Sequence, residues 1–194
     1  MAPANTTGAD GTILYYGDLK APHVLQVFLE MRDRASHRMA ESLLGTLRQG
    51  ADEGKFVVRF HFAAILDDTI GGNGSRRALS ALAAASDVAQ KQFMEYLGTL
   101  FAAQPFPPGN DTFSDTSELL TLAGQVSGLR SAEFDQKVTD DTYLTWAGEV
   151  AGDFSSFGVV GTPVFWYDDE VIPVVKIDGG PAITPQEFLA QTHK

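Results

Sequence analysis

Strand-like segments flank a long helical block, and this order constrains the fold more than any other feature of the sequence. Residues 12–16 are β-branched and aromatic, and 56–62 alternates apolar with other residues, both typical of β-strands. From 75 to 157 the sequence is rich in alanine and predicts several helices, interrupted at 105–109 and near Gly128. Strand-like sequence returns after residue 158. The chain therefore predicts a sheet whose two halves are separated by a helical insertion.

Between the first two strand-like segments, residues 22–48 carry apolar side chains at steps of three and four. They are Val24, Phe28, Met31, Ala35, Met39, Leu43 and Leu47. This spacing predicts one helix, with Pro22 in its first turn and Gly50 near its end. The order strand, helix, strand then predicts that 12–16 and 56–62 pair in parallel through a right-handed crossover.

The last part of the chain predicts a strand pair and a closing helix. Residues 164–167 form one strand, 168–170 the turn, and 170–177 a second strand that Pro173 marks as an edge or a bulge. Thr184, Pro185 and Glu187 have the spacing of a helix start with a capping box.

These elements divide the 194 residues into four segments within the size of one domain with a proper core. We expect a disordered lead at 1–11, a first half of the sheet domain at 12–74, the helical insertion at 75–157, and the second half at 158–194.

The chain has no cysteine, which excludes disulfides, thiolate nucleophiles and cysteine metal sites formed by its own side chains. Its formal net charge of -11 opposes attraction to nucleic acid and to anionic lipid. No apolar run is long enough to span a bilayer, so we expect no direct membrane insertion.

Two short motifs resemble the DsbA-like branch of the thioredoxin superfamily. In that family an aspartate, two residues and then Cys-Pro-His/Tyr-Cys lead from a strand into a helix; here Asp18 is followed by Leu19-Lys20 and Ala21-Pro22-His23-Val24. The segment Gly158-Val159-Val160-Gly161-Thr162-Pro163 is similar to the Gly-Val-x-Gly-Thr-Pro segment that carries the family's cis-proline. The resemblance implies an α/β thioredoxin-like fold, βαβ followed by ββα, with an inserted helical domain.

On this alignment Ala21 and Val24 stand where the family has its cysteines, so the resemblance does not extend to thiol–disulfide exchange. We expect no catalytic residue and no cofactor. The resemblance implies instead that a peptide or protein is bound in the former active-site groove, with His23, Val24, Thr162 and Pro163 as binding residues and the Thr162–Pro163 bond cis.

Two further interpretations stay open. The first is a glutathione-dependent enzyme similar to kappa-class glutathione transferases and 2-hydroxychromene isomerases, although these relatives place serine or cysteine where this chain has Ala21. The second is a structural subunit whose insertion mediates assembly, and a homo-oligomer is possible. DsbA-like relatives mostly work outside the cytoplasm, which favours an extracytoplasmic protein with a removed leader over a cytoplasmic one.

Other polar clusters predict no further site. Gly71-Gly72-Asn73-Gly74 is glycine-rich but lacks the Lys-Ser/Thr of a phosphate loop. His37, His61 and His193 are scattered, and no acidic cluster has calcium-loop spacing, so we expect no metal site. Asp18 is the candidate carboxylate partner of His23, but a turn residue is the simpler interpretation.

Overall fold

The structure, a computed structural model, describes residues 1–175 and 181–192. Its centre is a six-stranded sheet in the order β1-β2-β4-β3-β5-β6. The strands are β1 (Thr6–Thr7), β2 (Ile13–Tyr16), β3 (His23–Glu30), β4 (Phe56–Ala63), β5 (Val164–Tyr167) and β6 (Glu170–Ile172). Of these six strands in the described residues, β3 and β4 pair in parallel and the other neighbouring pairs are antiparallel.

The first half of the predicted long helix is wrong, because His23–Glu30 forms the central strand β3. Most side chains from Leu25 to Glu30 are buried, because β3 lies between two strands and both sheet faces are covered. The helix α1 begins only at Arg34 and runs to Asp52. The predicted parallel pairing of 12–16 with 56–62 is also wrong: β2 pairs antiparallel with β4, and the parallel crossover joins β3 to β4 through α1.

The helical insertion is present as predicted. It contains α3 (Gly74–Val88), α4 (Gln90–Ala102), α5 (Thr116–Ala123), α6 (Ala132–Thr139) and α7 (Leu144–Asp153), after a short α2 (Ile65–Ile70). The predicted core face of its last helix is confirmed, since Trp146, Val150 and Phe154 are all buried. The five helices pack on one another and on α1, and none of the described helices is long and apolar enough to cross a membrane.

The expected disordered lead at 1–11 is wrong as well. Thr6–Thr7 pairs with β2, and the Ala4 N–H donates to the Asp87 carboxylate in 2.7 Å. The Trp146 indole N–H donates to the Gly11 carbonyl in 2.9 Å. These bonds fasten the start of the chain to the helical insertion.

The closing elements follow the sequence closely up to Pro173. Strand β6 ends at Ile172, just before this proline, and the remainder of the predicted strand at 176–177 lies outside the described residues. Helix α8 (Pro185–Thr192) has the predicted capping box: the Thr184 N–H donates to Glu187 in 2.7 Å and the Glu187 N–H to the Thr184 hydroxyl in 3.2 Å.

Two apolar clusters cover the two faces of the sheet. The larger joins α1, the inner faces of the strands and the insertion, whereas the smaller contains Phe28, Ala63, Phe154 and Val159. The smaller cluster lies under the segment 158–163, and it therefore supports the loop that the sequence motif singled out.

Candidate functional site

Helix α1 begins with a four-residue motif that its sequence alone did not predict. Strand β3 ends at Glu30, and two residues later Asp33-Arg34-Ala35-Ser36 opens the helix. This is the family spacing of an acidic residue, two residues and a four-residue motif at a helix start. Asp33 and Ser36 thus stand at a helix start with the spacing of the family's two cysteines, whereas Ala21 and Val24 do not open a helix, because Val24 lies inside β3.

The Asp33 carboxylate occupies the N-terminus of α1. It accepts hydrogen bonds from the Ala35 N–H in 3.2 Å, the Ser36 N–H in 2.8 Å and the Ser36 hydroxyl in 2.8 Å. A fourth donor comes from across the groove, where the Thr162 hydroxyl lies 3.0 Å from Asp33 Oδ2. The helix-start N–H groups thus hold a fixed carboxylate where a redox relative holds sulfur.

The segment 158–163 forms the opposite wall of this site. The Thr162–Pro163 bond is cis, as the motif predicts, and β5 begins directly after it. Val160 is 97% exposed, and among the described residues none hydrogen-bonds to a backbone group of 159–162. A groove of about 500 Å³ runs along this segment to Trp166 and Val171.

A buried charged cluster lies beneath the site. Arg32 is 1% exposed and donates to Asp67 in 2.7 Å, to the Gly71 carbonyl in 2.9 Å and to the Pro108 carbonyl in 2.7 Å. Its Nε lies 3.2 Å from Asp111. Because Arg32 directly precedes Asp33, this cluster fixes the helix start to the insertion.

Glu30 is the second buried charge near Asp33. Burial raises the pKa of its carboxyl, against the opposing effect of hydrogen bonds from the Leu66 N–H and the Ser75 hydroxyl. The Glu30 N–H donates to the Ser36 hydroxyl in 3.2 Å. Ser36 is therefore buried and bonded on both sides, which leaves it no free hydroxyl for a ligand.

The glycine-rich loop 71–74 does hold an anion at a helix N-terminus, but the anion is internal. The Asn73 and Gly74 N–H groups donate to the Asp111 carboxylate in 2.9 and 3.1 Å, and Ser114 also donates to it. A Cβ at Gly72 or Gly74 would lie 2.2 or 1.8 Å from an Asp111 oxygen. The side chain of Asp111 thus fills the place that a phosphate would need.

The structure separates the four predicted binding residues into two places. Strands β3 and β5 are antiparallel, with Phe28 opposite Val164 and Leu25 opposite Tyr167. Thr162 and Pro163 therefore lie at the Glu30 end of β3, whereas His23 and Val24 lie at its other end. Seven strand steps separate these ends, which is roughly 23 Å.

At that other end His23 has a carboxylate partner, but it is Asp168 and not Asp18. The His23 Nδ1 lies 2.6 Å from Asp168 Oδ2, and the Val24 N–H donates to Oδ1 in 2.9 Å. Burial opposes ionisation of Asp168, but these two donors hold the pKa of its carboxyl below the usual value. His23 also stacks on Tyr167 beside a cavity of about 430 Å³.

The remaining predicted polar residues have structural surroundings. His61 is buried between Phe28 and Phe157, and burial, with a smaller effect of Arg59, lowers its pKa to about 4. The His37 Nδ1 lies 2.6 Å from the Phe101 carbonyl. Within 1–175 and 181–192 no three acidic or histidine side chains are placed to hold a metal ion; His193 lies outside these ranges.

A thioredoxin-like sheet, a helical insertion and a groove between a helix start and the Thr162–Pro163 loop define a DsbA-like protein. A family profile described as thioredoxin matches residues 9–189, so the chain belongs to this family. Its sequence has no cysteine, so it is a member without the family's two active-site cysteines.

Solved structures agree on the fold. The MdbA protein of Actinomyces oris, a thiol-disulfide oxidoreductase, is similar over 94% of this chain and 85% of its own, with a TM-score of 0.76 and 17% identity. BdbD of Bacillus subtilis is similar over 99% of this chain and 97% of its own, with a TM-score of 0.71 and 15% identity. DsbA of Mycobacterium tuberculosis is similar over 94% of this chain and 91% of its own, with a TM-score of 0.75 and 18% identity. Comparison with curated proteins gives no match.

Asp33 and Ser36 could have been found from the sequence. Asp33 is a good N-cap residue and precedes the helical spacing of Met39, Leu43 and Leu47. Glu30, rather than Asp18, then takes the family's acidic position. Nothing in the sequence indicates that Thr162 would donate to Asp33, because that contact joins residues 129 positions apart.

Proposed function

We propose that this protein is a redox-inactive DsbA-like protein that binds an extended segment of a peptide or protein in the groove beside residues 158–163. The observation that carries this proposal is the backbone of 159–162, to which no described residue hydrogen-bonds, next to the exposed Val160. An extended segment can pair with such a backbone, while its side chains occupy the apolar surface.

The groove has the composition of a surface that contacts apolar side chains. Val160 and Val171 are 97% and 67% exposed, and Val164 and Trp166 are half-buried beside them. Such an apolar surface at the edge of a sheet is typical of an interaction site. The hydrogen bond from Thr162 to Asp33 holds the loop against α1, so the groove is formed before a segment binds.

Redox inactivity follows from chemistry. Disulfide exchange needs a thiolate that attacks sulfur, and carboxylate and hydroxyl groups at Asp33 and Ser36 do not perform this step. The glutathione-dependent alternative needs a group at the helix start that can approach the glutathione sulfur. Two hydroxyls lie at Asp33: that of Ser36 is buried and bonded to Asp33 and the Glu30 N–H, and that of Thr162 donates to Asp33, which weighs against the alternative.

The binding proposal can be tested with a labelled peptide, Ser-Ala-Val-Gln-Phe-Val-Ala-Ser, blocked at both ends. We expect saturable binding by fluorescence anisotropy and a loss of about tenfold or more in Val160→Asp, because a carboxylate would face the apolar side chains of the peptide. Leu19→Asp is the matched control, since Leu19 is also exposed, at 45%, but lies in the turn before β3.

Circular dichroism checks that both variants fold. Equal binding by folded Val160→Asp and wild type would show that the groove is not the binding surface. Insulin reduction and oxidation of a reduced peptide in glutathione buffer test the redox part, and we expect rates equal to the buffer blank.

A further inference from the structure

An exposed arginine follows the residue that contacts the wall of the proposed groove. Arg34 is the first residue of α1 and directly follows Asp33. Its guanidinium carbon lies 5.4 Å from the ring centroid of Phe106, which is itself 66% exposed. Within the part of the chain that the structure describes, no carboxylate lies within ion-pair distance of Arg34.

Two exposed apolar side chains belong to segments that adjoin the start of α1. Asp33 contacts Thr162, so the loop that carries Val160 adjoins the helix start. Arg34 contacts Phe106, so the segment that carries Phe106 adjoins it as well. A peptide segment bound along 158–163 can therefore continue past the helix start, where Arg34 and Phe106 lie.

The local charge at this place differs from that of the whole molecule. The chain has a formal net charge of -11, but the first turn of α1 contains no acidic residue. The Asp33 carboxylate at the helix start already accepts four hydrogen bonds. Among the described residues Arg34 therefore has no carboxylate partner, although the protein is acidic, and an arginine can hold a carboxylate through two parallel hydrogen bonds.

We propose that the segment bound in this groove carries an acidic residue next to an apolar one, and that Arg34 selects it. This inference rests on the proposed binding function. The acidic side chain pairs with the Arg34 guanidinium, while the neighbouring apolar side chain contacts Phe106 or Val160. The arginine keeps its contact with the Phe106 ring, which holds the guanidinium in place for the carboxylate.

The test compares the peptide Ser-Ala-Val-Gln-Phe-Val-Ala-Ser with the same peptide carrying Glu in place of Gln. We expect the Glu peptide to bind wild type about fivefold to tenfold more tightly, as a charge-assisted hydrogen bond permits. The preference should decrease as salt is raised, because exposed charges are screened. Arg34→Gln should bind the Glu and Gln peptides equally. Arg34→Glu should instead bind most tightly a third peptide that carries Lys in place of Gln.

Arg48→Gln is the matched control, because Arg48 is another exposed arginine of α1, near its opposite end. It should keep the full preference for the Glu peptide, whereas Arg34→Lys should keep part of it. Equal affinity of wild type for the Glu and Gln peptides, both still weakened by Val160→Asp, would overturn the selection by Arg34 and leave the groove in place. No binding of either peptide would overturn the proposed binding function, and this inference with it.

Discussion

The two ends of the β3–β5 pair each have a carboxylate that accepts hydrogen bonds, but the surfaces around these carboxylates differ. At each end a carboxylate joins the two strands: Asp33 accepts from Thr162 at one end, and Asp168 accepts from His23 and the Val24 N–H at the other. At the Asp168 end the turn backbone is paired, since the Asp168 N–H donates to the Val24 carbonyl in 3.0 Å. At the Asp33 end the loop backbone of 159–162 lacks such partners among the described residues.

This difference shows that a carboxylate anchor does not by itself mark a binding site. Both carboxylates connect segments beside β3 and β5, but within 1–175 and 181–192 the Asp33 carboxylate alone lies next to a helix start and a loop whose backbone has no hydrogen-bond partner. The four-residue motif at 33–36 therefore has a surface around it that Ala21–Val24 lacks.

The largest expected effect is a gain of redox activity. Asp33→Cys combined with Ser36→Cys places two thiols three residues apart at the start of α1, where free N–H groups lower a thiolate pKa. We expect the double variant to reduce insulin well above the buffer blank. Ala21→Cys combined with Val24→Cys has the same spacing at the other end of β3, away from any helix start, and should remain at the blank.

Activity in both double variants, or in neither, would contradict this contrast. The thiols of each variant are counted with a chromogenic disulfide before the assay, so that a lack of activity is not a lack of free thiol. Thermal unfolding of both variants gives the folding control.

The second prediction concerns the cluster beneath the site. Arg32→Met leaves Asp67 buried and removes its Arg32 partner, and we expect a loss of about 3–5 kcal/mol in the free energy of unfolding. Arg76→Met removes an arginine that is 26% exposed and near the same Asp67, and should cost about 1 kcal/mol or less. Urea unfolding measures both; similar losses would mean that Arg32 has no special role beneath the groove.

The third prediction concerns His61, which lies between the two ends of the sheet. Its native pKa of about 4 is below that of an unfolded histidine, about 6.5. As pH falls from 6.5 to 4, the unfolded state takes up a proton that the native state does not, so stability decreases, by about 2–3 kcal/mol. His61→Phe keeps an aromatic ring against Phe28 and should lack this decrease.

Urea unfolding at pH 7.5, 5.5 and 4.5 measures the difference between wild type and His61→Phe. A difference that stays constant across these three values would show that His61 does not titrate in this window. The carboxyl groups titrate in both proteins, so their contribution cancels in the comparison.

The smallest effects compare the two anchors directly. Asp33→Ala removes the N-cap of α1 and the acceptor for Thr162, with an expected cost of about 1–2 kcal/mol. His23→Gln removes the partly exposed contact between His23 Nδ1 and Asp168 and should cost less than about 1 kcal/mol. A larger cost for His23→Gln would mean that the Asp168 end, rather than the helix start, sets the stability of the strand pair.

Much of the fold could be predicted from local patterns. The Gly-Thr-Pro segment, the alternation in β4 and the capping box at Thr184–Glu187 are each complete within a few residues, and the structure confirms them. The helical insertion could be predicted from its composition. These signals do not depend on what the rest of the chain packs against.

The site could be predicted only in part, because β3 has buried residues on both faces. Val24, Phe28 and Met31 fit a helical period of three and four, but they fit a fully buried strand equally well. A helix predicted from Pro22 begins about three turns before the observed start of α1 at Arg34. The predicted four-residue motif at 21–24 therefore lies at the opposite end of β3 from Thr162. The contacts of Asp33 with Thr162 and of Arg34 with Phe106 join distant segments, and no local pattern reports them.

The Asp111 carboxylate at the start of α3 has a consequence for how this sequence can change in evolution. Asn73 and Gly74 present N–H groups to it, and a side chain at Gly72 or Gly74 would collide with its oxygens. A substitution of Gly74 is therefore tolerated only together with a shorter residue at 111, and Gly72 is further restricted by its φ of +92°. Loss of Asp111 alone leaves the Asn73 and Gly74 N–H groups without their acceptor and Arg32 with Asp67 as its remaining carboxylate partner. We expect the residues at positions 72, 74 and 111 to change together, rather than one at a time, in proteins that evolve from this chain.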